Sequence, residues 1–375
     1  MTDNQIARIE SDATPRRVVV GMSGGVDSAV AAALLKEQGH DVVGVTLNLV
    51  PSDESDERED ACCSLAAVED ARRVADQIGI PHYALNLREA FAETVIADFV
   101  AEYRRGRTPN PCIQCNRHVK FGALLQRTRA LGAEAVATGH YARIERSAGT
   151  GRYRLRRGLD LSKDQSYVLY VLSQSQLART LLPLGGLTKA ETRAIARRLG
   201  LRVAEKAESQ EICFVPNDDY GAYLRAVAPE ALAPGKIVDL DGRVRGEHRG
   251  IALYTRGQRR GLGIAAPEPL YVVGLDVAAN RVVVGPESAL YEDEVVADEA
   301  NLIGVESIAE PIRVQAKLRY RMPPADGWLS QLPGGELHLR LDEPQRAVTP
   351  GQAMVCYVGD EVIAGGTIRG NDEHR

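Results

Sequence analysis

The run Arg17-Val18-Val19-Val20 leads straight into Gly21-Met22-Ser23-Gly24-Gly25-Val26-Asp27-Ser28, and this junction constrains the fold more than any other stretch. A short β-branched apolar run reads as a strand buried on both faces of a parallel sheet. The segment Val26 to Leu35 that follows reads as a helix, with Gly39 as its C-terminal stop. Between strand and helix lie two hydroxyls, two glycines and a carboxylate. Glycines let the backbone approach an anion closely, and a helix start aims free N–H groups at it. Ser23 and Ser28 add hydroxyl donors. The chemistry is that of a phosphate cradle, but no Lys follows the glycines, so it is not a Walker loop.

A bare Ser-Gly-Gly between strand and helix could be only a tight turn; the full string after a buried strand is more specific. It resembles the pyrophosphate (PP) loop of the ATP-pyrophosphatase superfamily, whose members adenylate a carbonyl or carboxyl oxygen and release pyrophosphate. The resemblance implies that residues 21–28 bind ATP.

A chain of 375 residues implies two or three domains. Its apolar content of 44% with 26% charged residues is that of a water-soluble globular protein. No stretch approaches the ~20 apolar residues of a membrane span. The polar N-terminus resembles neither a signal nor a transit peptide, which implies a cytoplasmic protein. Six cysteines (Cys62, Cys63, Cys112, Cys115, Cys213 and Cys356) are too sparse for a disulfide scaffold. The net charge of −5 argues against a generic nucleic-acid coat. Charge is uneven, however: residues 51–60 carry six acids, residues 141–160 six arginines, and residues 313–321 four bases without an acid. Such runs are usually solvated faces, yet local basic patches can hold a structured RNA.

Strands and helices alternate over the first ~200 residues, as in a doubly wound α/β sheet. Strands are predicted at Asp41–Leu47, His82–Leu87 and Ala135–His140. Helices are predicted at 64–77, 88–104, 117–131, 166–180 and 188–199, the last with Thr188 and Glu191 as a capping box. Beyond Pro216, short β-branched runs between Gly and Pro turns predict a small mixed or β central domain. From ~290 onward, period-two alternation predicts a C-terminal antiparallel β-barrel. The expected organisation is a tail at 1–16, an α/β domain at 17–215, a central domain at 216–288 and the barrel at 289–375.

Gly106 to Arg117 reads GRTPNPCIQCNR. Two prolines stiffen it, and Cys115 is placed beside a helix start, where the helix dipole and Arg117 favour a thiolate. A CxxC pair in a polar loop leaves redox, zinc and iron–sulfur roles open. A four-Cys zinc site would need a second CxxC, and the sequence has none. Cys213 follows Ser209-Gln210-Glu211-Ile212 and precedes Phe214; its polar flanks set it apart from an ordinary core Cys. Vicinal Cys62 and Cys63 read as structural, and Cys356 reads as core. His140 orients a substrate or serves as a hydrogen-bonded structural His.

Six ordered motifs together resemble the MnmA family of tRNA-specific 2-thiouridylases: GMSGGVDS at 21–28, RTPNPCIQCN at 107–116, ATGHY at 137–141, KDQSYVL at 163–169, SQEICF at 209–214 and LRYR at 318–321. The resemblance spans nearly the whole chain. It implies a PP-loop domain of the adenine nucleotide alpha hydrolase-like type, which adenylates O2 of the tRNA wobble uridine and replaces that oxygen with persulfide sulfur. It implies Cys213 as persulfide carrier and Cys115 as nucleophile. Gly21, Met22, Ser23, Gly24, Gly25, Val26, Asp27 and Ser28, with Leu47 and Gly139, would bind ATP and Mg²⁺. Asn110, Pro111, Cys112, Lys163, Asp164, Gln165, Arg319 and Tyr320 would contact the anticodon arm of tRNA. A cysteine desulfurase or a sulfur-relay protein would load Cys213. Asp27 would position either Mg²⁺ or the loop backbone.

Some members have Asp where this chain has Cys112, which leaves the general base unassigned. Cys112, Cys115 and Cys213 then form a three-thiol set that could ligate a [4Fe–4S] cluster delivering sulfide, an alternative mechanism with the same product. Rival functions are an amidotransferase-coupled synthetase and a non-catalytic tRNA- or nucleotide-binding module. Neither accounts for CxxC with a distant third Cys beside a phosphate loop.

Overall fold

The computed structural model describes residues 15–50, 65–207, 212–215, 217 and 219–370. Most of the predicted tail, the acidic loop at 51–60, Cys62, Cys63 and Glu208 to Glu211 lie outside the described residues. The chain divides into two compact units. One takes in the described residues up to Val95, together with Cys112–Phe214 and Asp360–Val362. The other takes in Ile96–Pro111, Val215–Gly359 and the described residues from Ile363.

The first unit is built on five strands: β1 (Arg17–Gly21), β2 (Asp41–Asn48), β3 (His82–Asn86), β4 (Ala135–Ala137) and, after a hairpin of β5 (Ala142–Arg146) and β6 (Tyr153–Arg157), β7 (Thr180–Leu181). Their order is β3-β2-β1-β4-β7, with all neighbours parallel. Val18, Val19 and Val20 are fully buried at its centre, as a strand covered on both faces requires. Helix α1 (Val26–Glu37) is apolar almost all round, with nine buried residues, because it packs between the sheet and neighbouring helices. Helix α2 (Leu65–Ile78) is amphipathic. The chain leaves β1 toward β2 on one side and later returns to β4 on the other. This makes the carboxyl ends of β1 and β4 a topological switch point, where doubly wound sheets bind ligands.

The predicted helix at 166–180 divides into Ser166–Leu169 and Gln174–Leu177. Ser173 caps the second piece with a reciprocal capping box to Gln176, which starts a new helix where the apolar pattern alone shows none. The capping box at Thr188 forms as expected, opening the helix Lys189–Arg198.

In the second unit, β8 (Gly235–Val238), β9 (Val244–His248), β10 (Tyr271–Asp276) and β11 (Arg281–Gly285) form a small mixed sheet in the order β10-β11-β8-β9. Its core includes Ile237, Val272, Val282 and Val284. Then β12 (Tyr291–Leu302), β13 (Ile312–Lys317), β14 (Ala325–Gln331), β15 (Leu337–Arg346), β16 (Ala353–Val358) and β17 (Glu361–Ile368) run in the order β12-β15-β14-β13-β16-β17. Pairing of β12 with β17 closes these six into a barrel. Alternate residues such as Leu337, Leu339 and Leu341 fill it, and Cys356 sits in that core fully buried. Burial pushes the Cys356 thiol up to about 12, so it is a small apolar filler.

Candidate active site

The loop after β1 has the geometry of an anion cradle. Gly25 is the N-cap of α1 in extended conformation and no side chain caps the helix, so its first N–H groups are not taken up by a cap. Ser23 N–H donates to Ser28 Oγ at 3.1 Å, and Ser28 Oγ donates to Gly25 O at 3.1 Å, which fixes the turn. Gly24 has φ +70°, and a Cβ there would lie 2.4 Å from Ala67 O, so only glycine fits. Gly139, just beyond β4, packs on the same turn: a Cβ would lie 2.7 Å from Asp27 C and 2.8 Å from Ser28 N. Leu47 is half-buried near the carboxyl end of β2. The three predicted ATP-binding segments therefore leave the carboxyl ends of adjacent strands.

Asp27, in the first turn of α1, is gripped from the helix Lys189–Arg198. Lys189 Nζ lies 2.8 Å from both carboxylate oxygens. The Tyr141 hydroxyl lies 2.8 Å from Asp27 Oδ1 and 2.9 Å from Thr192 Oγ1. Sequence reading missed Lys189, though it carries a signal: it is the first residue of its helix, where the dipole disfavours a cation.

The cysteine segment differs from expectation. The helix begins at Pro111, not near Arg117, and continues through Pro111–Gln114 into the wider turns of Cys115–Ala123. Proline is favoured at a first helical position because its missing N–H would be unpaired there anyway. Cys112 therefore occupies the first turn and is exposed, while Cys115 is the fifth helical residue and is buried. The dipole acts mainly within the first turn, so it acts on Cys112 more than on Cys115. Asn116 is fully buried; its amide donates to Val168 O at 2.9 Å, and its Oδ1 has no partner. Cys213 is partly buried, and the adjoining Phe214 packs edge-on against Phe91. Among the described residues no three Cys, His, Asp or Glu side chains are grouped to hold a metal ion. Nothing in this arrangement supports the three-thiolate cluster on Cys112, Cys115 and Cys213 set out above.

Residues 16–217 match the family described as tRNA methyl transferase HUP domain. Residues 222–286 match the tRNA methyl transferase PRC-barrel domain, and residues 273–368 the aminomethyltransferase beta-barrel domain. The tRNA-specific 2-thiouridylase MnmA of Heliobacterium modesticaldum is 54% identical over 353 residues, covering 94% of this chain and 92% of that protein. The chain belongs to the MnmA family of tRNA-specific 2-thiouridylases. The member from Pelotomaculum thermopropionicum is 53% identical over 354 residues, 94% of this chain and 97% of that protein. Among solved structures, an NMN synthetase from Francisella tularensis matches 58% of this chain and 78% of its own, at 19% identity and a TM-score of 0.35.

The remaining residues that the MnmA resemblance singles out have varied surroundings. Asp164 is buried, and its carboxylate accepts from Gly158 N, Ser166 N and Ser166 Oγ at 3.0–3.1 Å. Gln165 Oε1 accepts from Tyr141 N at 3.0 Å, and Lys163 is half-buried. His140 is buried with Nδ1 2.7 Å from Thr138 Oγ1, and burial, then the nearby Lys120 charge, holds its pKa well below the usual value. In the second unit, Thr108 N donates to Pro350 O at 2.8 Å, and Gln352 Nε2 donates to Thr108 O at 2.8 Å, pinning the segment that leads to Asn110 and Pro111. Arg319 bonds Thr349 Oγ1, and Lys317 lies over the Tyr320 ring.

Half the arginines of the basic run at 141–160 are offset by acids. Arg143 and Arg156 pair with Glu145 and Asp360, and Arg154 pairs with Glu361. Arg313 pairs with Asp342. No helix among the described residues is long and apolar enough to cross a membrane.

Proposed function

We propose that this chain carries out ATP-dependent 2-thiolation of the wobble uridine of tRNA. One observation carries the reading: the PP loop, the Cys112–Cys115 helix and Cys213 belong to one compact unit. Uridine O2 attacks the α-phosphorus of ATP and pyrophosphate leaves, which turns a poor electrophile into one with AMP as leaving group. The terminal sulfur of a Cys213 persulfide attacks C2 and expels AMP. The Cys115 thiolate then attacks Cys213 Sγ, releasing 2-thiouridine and leaving a Cys115–Cys213 disulfide. A thiol reductant restores both cysteines, and a cysteine desulfurase or sulfur-relay protein reloads Cys213. Mg²⁺ would come with the ATP phosphates and offset their charge, while Asp27 is held by Lys189. The base leaves the anticodon stack to be reached.

In this reading the protein is cytoplasmic. Residues 17–215 adenylate and thiolate; 216–288 and 289–375 hold the anticodon arm, with Arg319 and Tyr320 on that surface. Asn110, Pro111 and Cys112 contact the tRNA. Lys163 and Gln165 meet the tRNA, and Asp164 shapes their loop.

The test is incubation of the protein with ATP, Mg²⁺, a sulfur source and unmodified tRNA, followed by mass spectrometry of the digested tRNA. ATP-dependent 2-thiouridine is expected. Cys213→Ala is expected to abolish the product while tRNA-dependent pyrophosphate release and tRNA binding persist. Normal thiolation by that variant refutes the persulfide role. Absence of both 2-thiouridine and pyrophosphate release with the unmutated chain refutes the function.

A further inference from the structure

We propose that Lys189 is a positioning residue of the ATP site, which cancels the charge of Asp27 so that the PP loop presents no net negative charge to a triphosphate. The inference rests on the ATP reading above and assigns a role outside the loop motif. A carboxylate in the first turn of α1 competes with a phosphate for the same partial positive charge and repels it across a short distance. Other phosphate loops offset the ligand's charge with a Lys directly after their glycines, and this chain has none there. It supplies instead an ammonium 162 residues away in sequence, bonded at 2.8 Å to both Asp27 oxygens.

Three features set this pair apart from a casual surface bridge. Only 11% of the Lys189 side chain is exposed, so its charge has been taken out of water, which is unfavourable without a partner. It stands at the start of a helix, where the dipole opposes it. The Tyr141 hydroxyl, also bonded to Thr192 of the same helix, makes a further contact to Asp27 Oδ1. The pair fixes Asp27, and through it the turn against which Gly139 packs. On this proposal Asp27 serves the loop rather than Mg²⁺, since a metal ion would have to displace Lys189.

The experiment measures equilibrium binding of a non-hydrolysable ATP analogue to the full chain, with and without Mg²⁺, and records a thermal melt for each variant. Lys189→Met is expected to weaken binding about tenfold or more, equivalent to about 1.4 kcal/mol. Lys189→Arg is expected to retain affinity within about threefold, because the charge remains. The double variant Asp27→Asn/Lys189→Met is expected to recover most of the lost affinity, since the repelling charge is gone too. A purely architectural pair predicts the opposite: lower melting temperatures in Lys189→Met and the double variant, with no rescue of affinity. Absence of rescue, or unchanged affinity in Lys189→Met, therefore overturns the proposal. So does loss of the Mg²⁺ enhancement in Asp27→Asn alone, which makes Asp27 a metal ligand and still applies if Lys189→Met does not fold. Failure of the unmutated chain to bind the analogue removes the ATP reading itself, whereas failed rescue with a binding parent removes only the role of Lys189.

Discussion

Replacing Gly139 by alanine tests whether the segment after β4 forms one wall of the PP loop. The backbone at Gly139 lies outside the left-handed region, so alanine is conformationally allowed and the effect is steric. The new Cβ would sit 2.7 Å from Asp27 C, 2.8 Å from Ser28 N and 3.0 Å from Asp27 Cβ. Two of these contacts are backbone, which cannot rotate aside, so loop and strand end must separate by about 0.7 Å to reach ordinary contact at 3.4 Å. Overpacking of this kind costs about 1–3 kcal/mol. For a unit of this size, that lowers the melting temperature by roughly 3–10 °C. A displacement approaching 1 Å at reacting groups can cost ~10²-fold in rate, so kcat/KM for ATP should fall roughly tenfold or more. The assay is tRNA-dependent pyrophosphate release against ATP concentration, with a thermal melt on each variant. Gly186→Ala in the same unit is the control: its Cβ meets nothing within 4 Å, and its melting temperature should match the parent within about a degree. An unchanged KM for ATP together with an unchanged melt in Gly139→Ala refutes the wall.

Asp164→Ala leaves three donors without their acceptor and is expected to destabilise the fold by about 1–3 kcal/mol, read as a lower melting temperature. Weakened tRNA binding with an unchanged melt would instead make Asp164 a direct contact. His140 is held neutral in the fold while its unfolded counterpart titrates near 6.5, so the unfolded state binds the extra proton as pH falls. Its contribution is present above pH 6.5 and is lost below it, by up to about 1.4 kcal/mol per pH unit. The difference in melting temperature between the parent and His140→Gln should therefore change between pH 7 and pH 5, and a constant difference refutes the assignment. Cys356 should resist alkylation in the native protein at pH 8 and react in denaturant, read by peptide mass spectrometry. Labelling at a native rate equal to that of exposed Cys112 contradicts its burial.

What the sequence made legible follows the range of the physics involved. The Val18–Val20 strand, the apolar α1 and the period-two strands of the barrel were readable because burial on one face or all round imposes a local period. The Thr188 box was readable because both partners lie within four residues. The Ser173 box has the same local character, yet the apolar run through Leu172 and Leu177 hid it inside one apparent helix. Pro111 was read as stiffening a loop rather than as starting a helix, although a proline is compatible with a first helical turn, and that displaced Cys115 from its actual place in the helix.

The arginines of β5 and β6 mark where local reading runs out. Six arginines within twenty residues read as a patch for phosphates, yet Arg143 and Arg156 meet Asp360, and Arg154 meets Glu361, more than two hundred residues later. Those acids arrive because Glu361 of β17 pairs with Arg156 of β6, a long-range pairing that no window of sequence contains. Lys189 is the converse case. An isolated lysine with no run around it meets Asp27 by the same kind of long-range contact, in the first turn of the PP loop helix. The density of charge along the chain and the charge available to a ligand are therefore different quantities. The first counts residues; the second depends on which partner the fold has already supplied. In this chain half the arginines of a dense basic run are paired with acids, while a single buried lysine pairs with the carboxylate of the loop that sequence reading assigned to ATP.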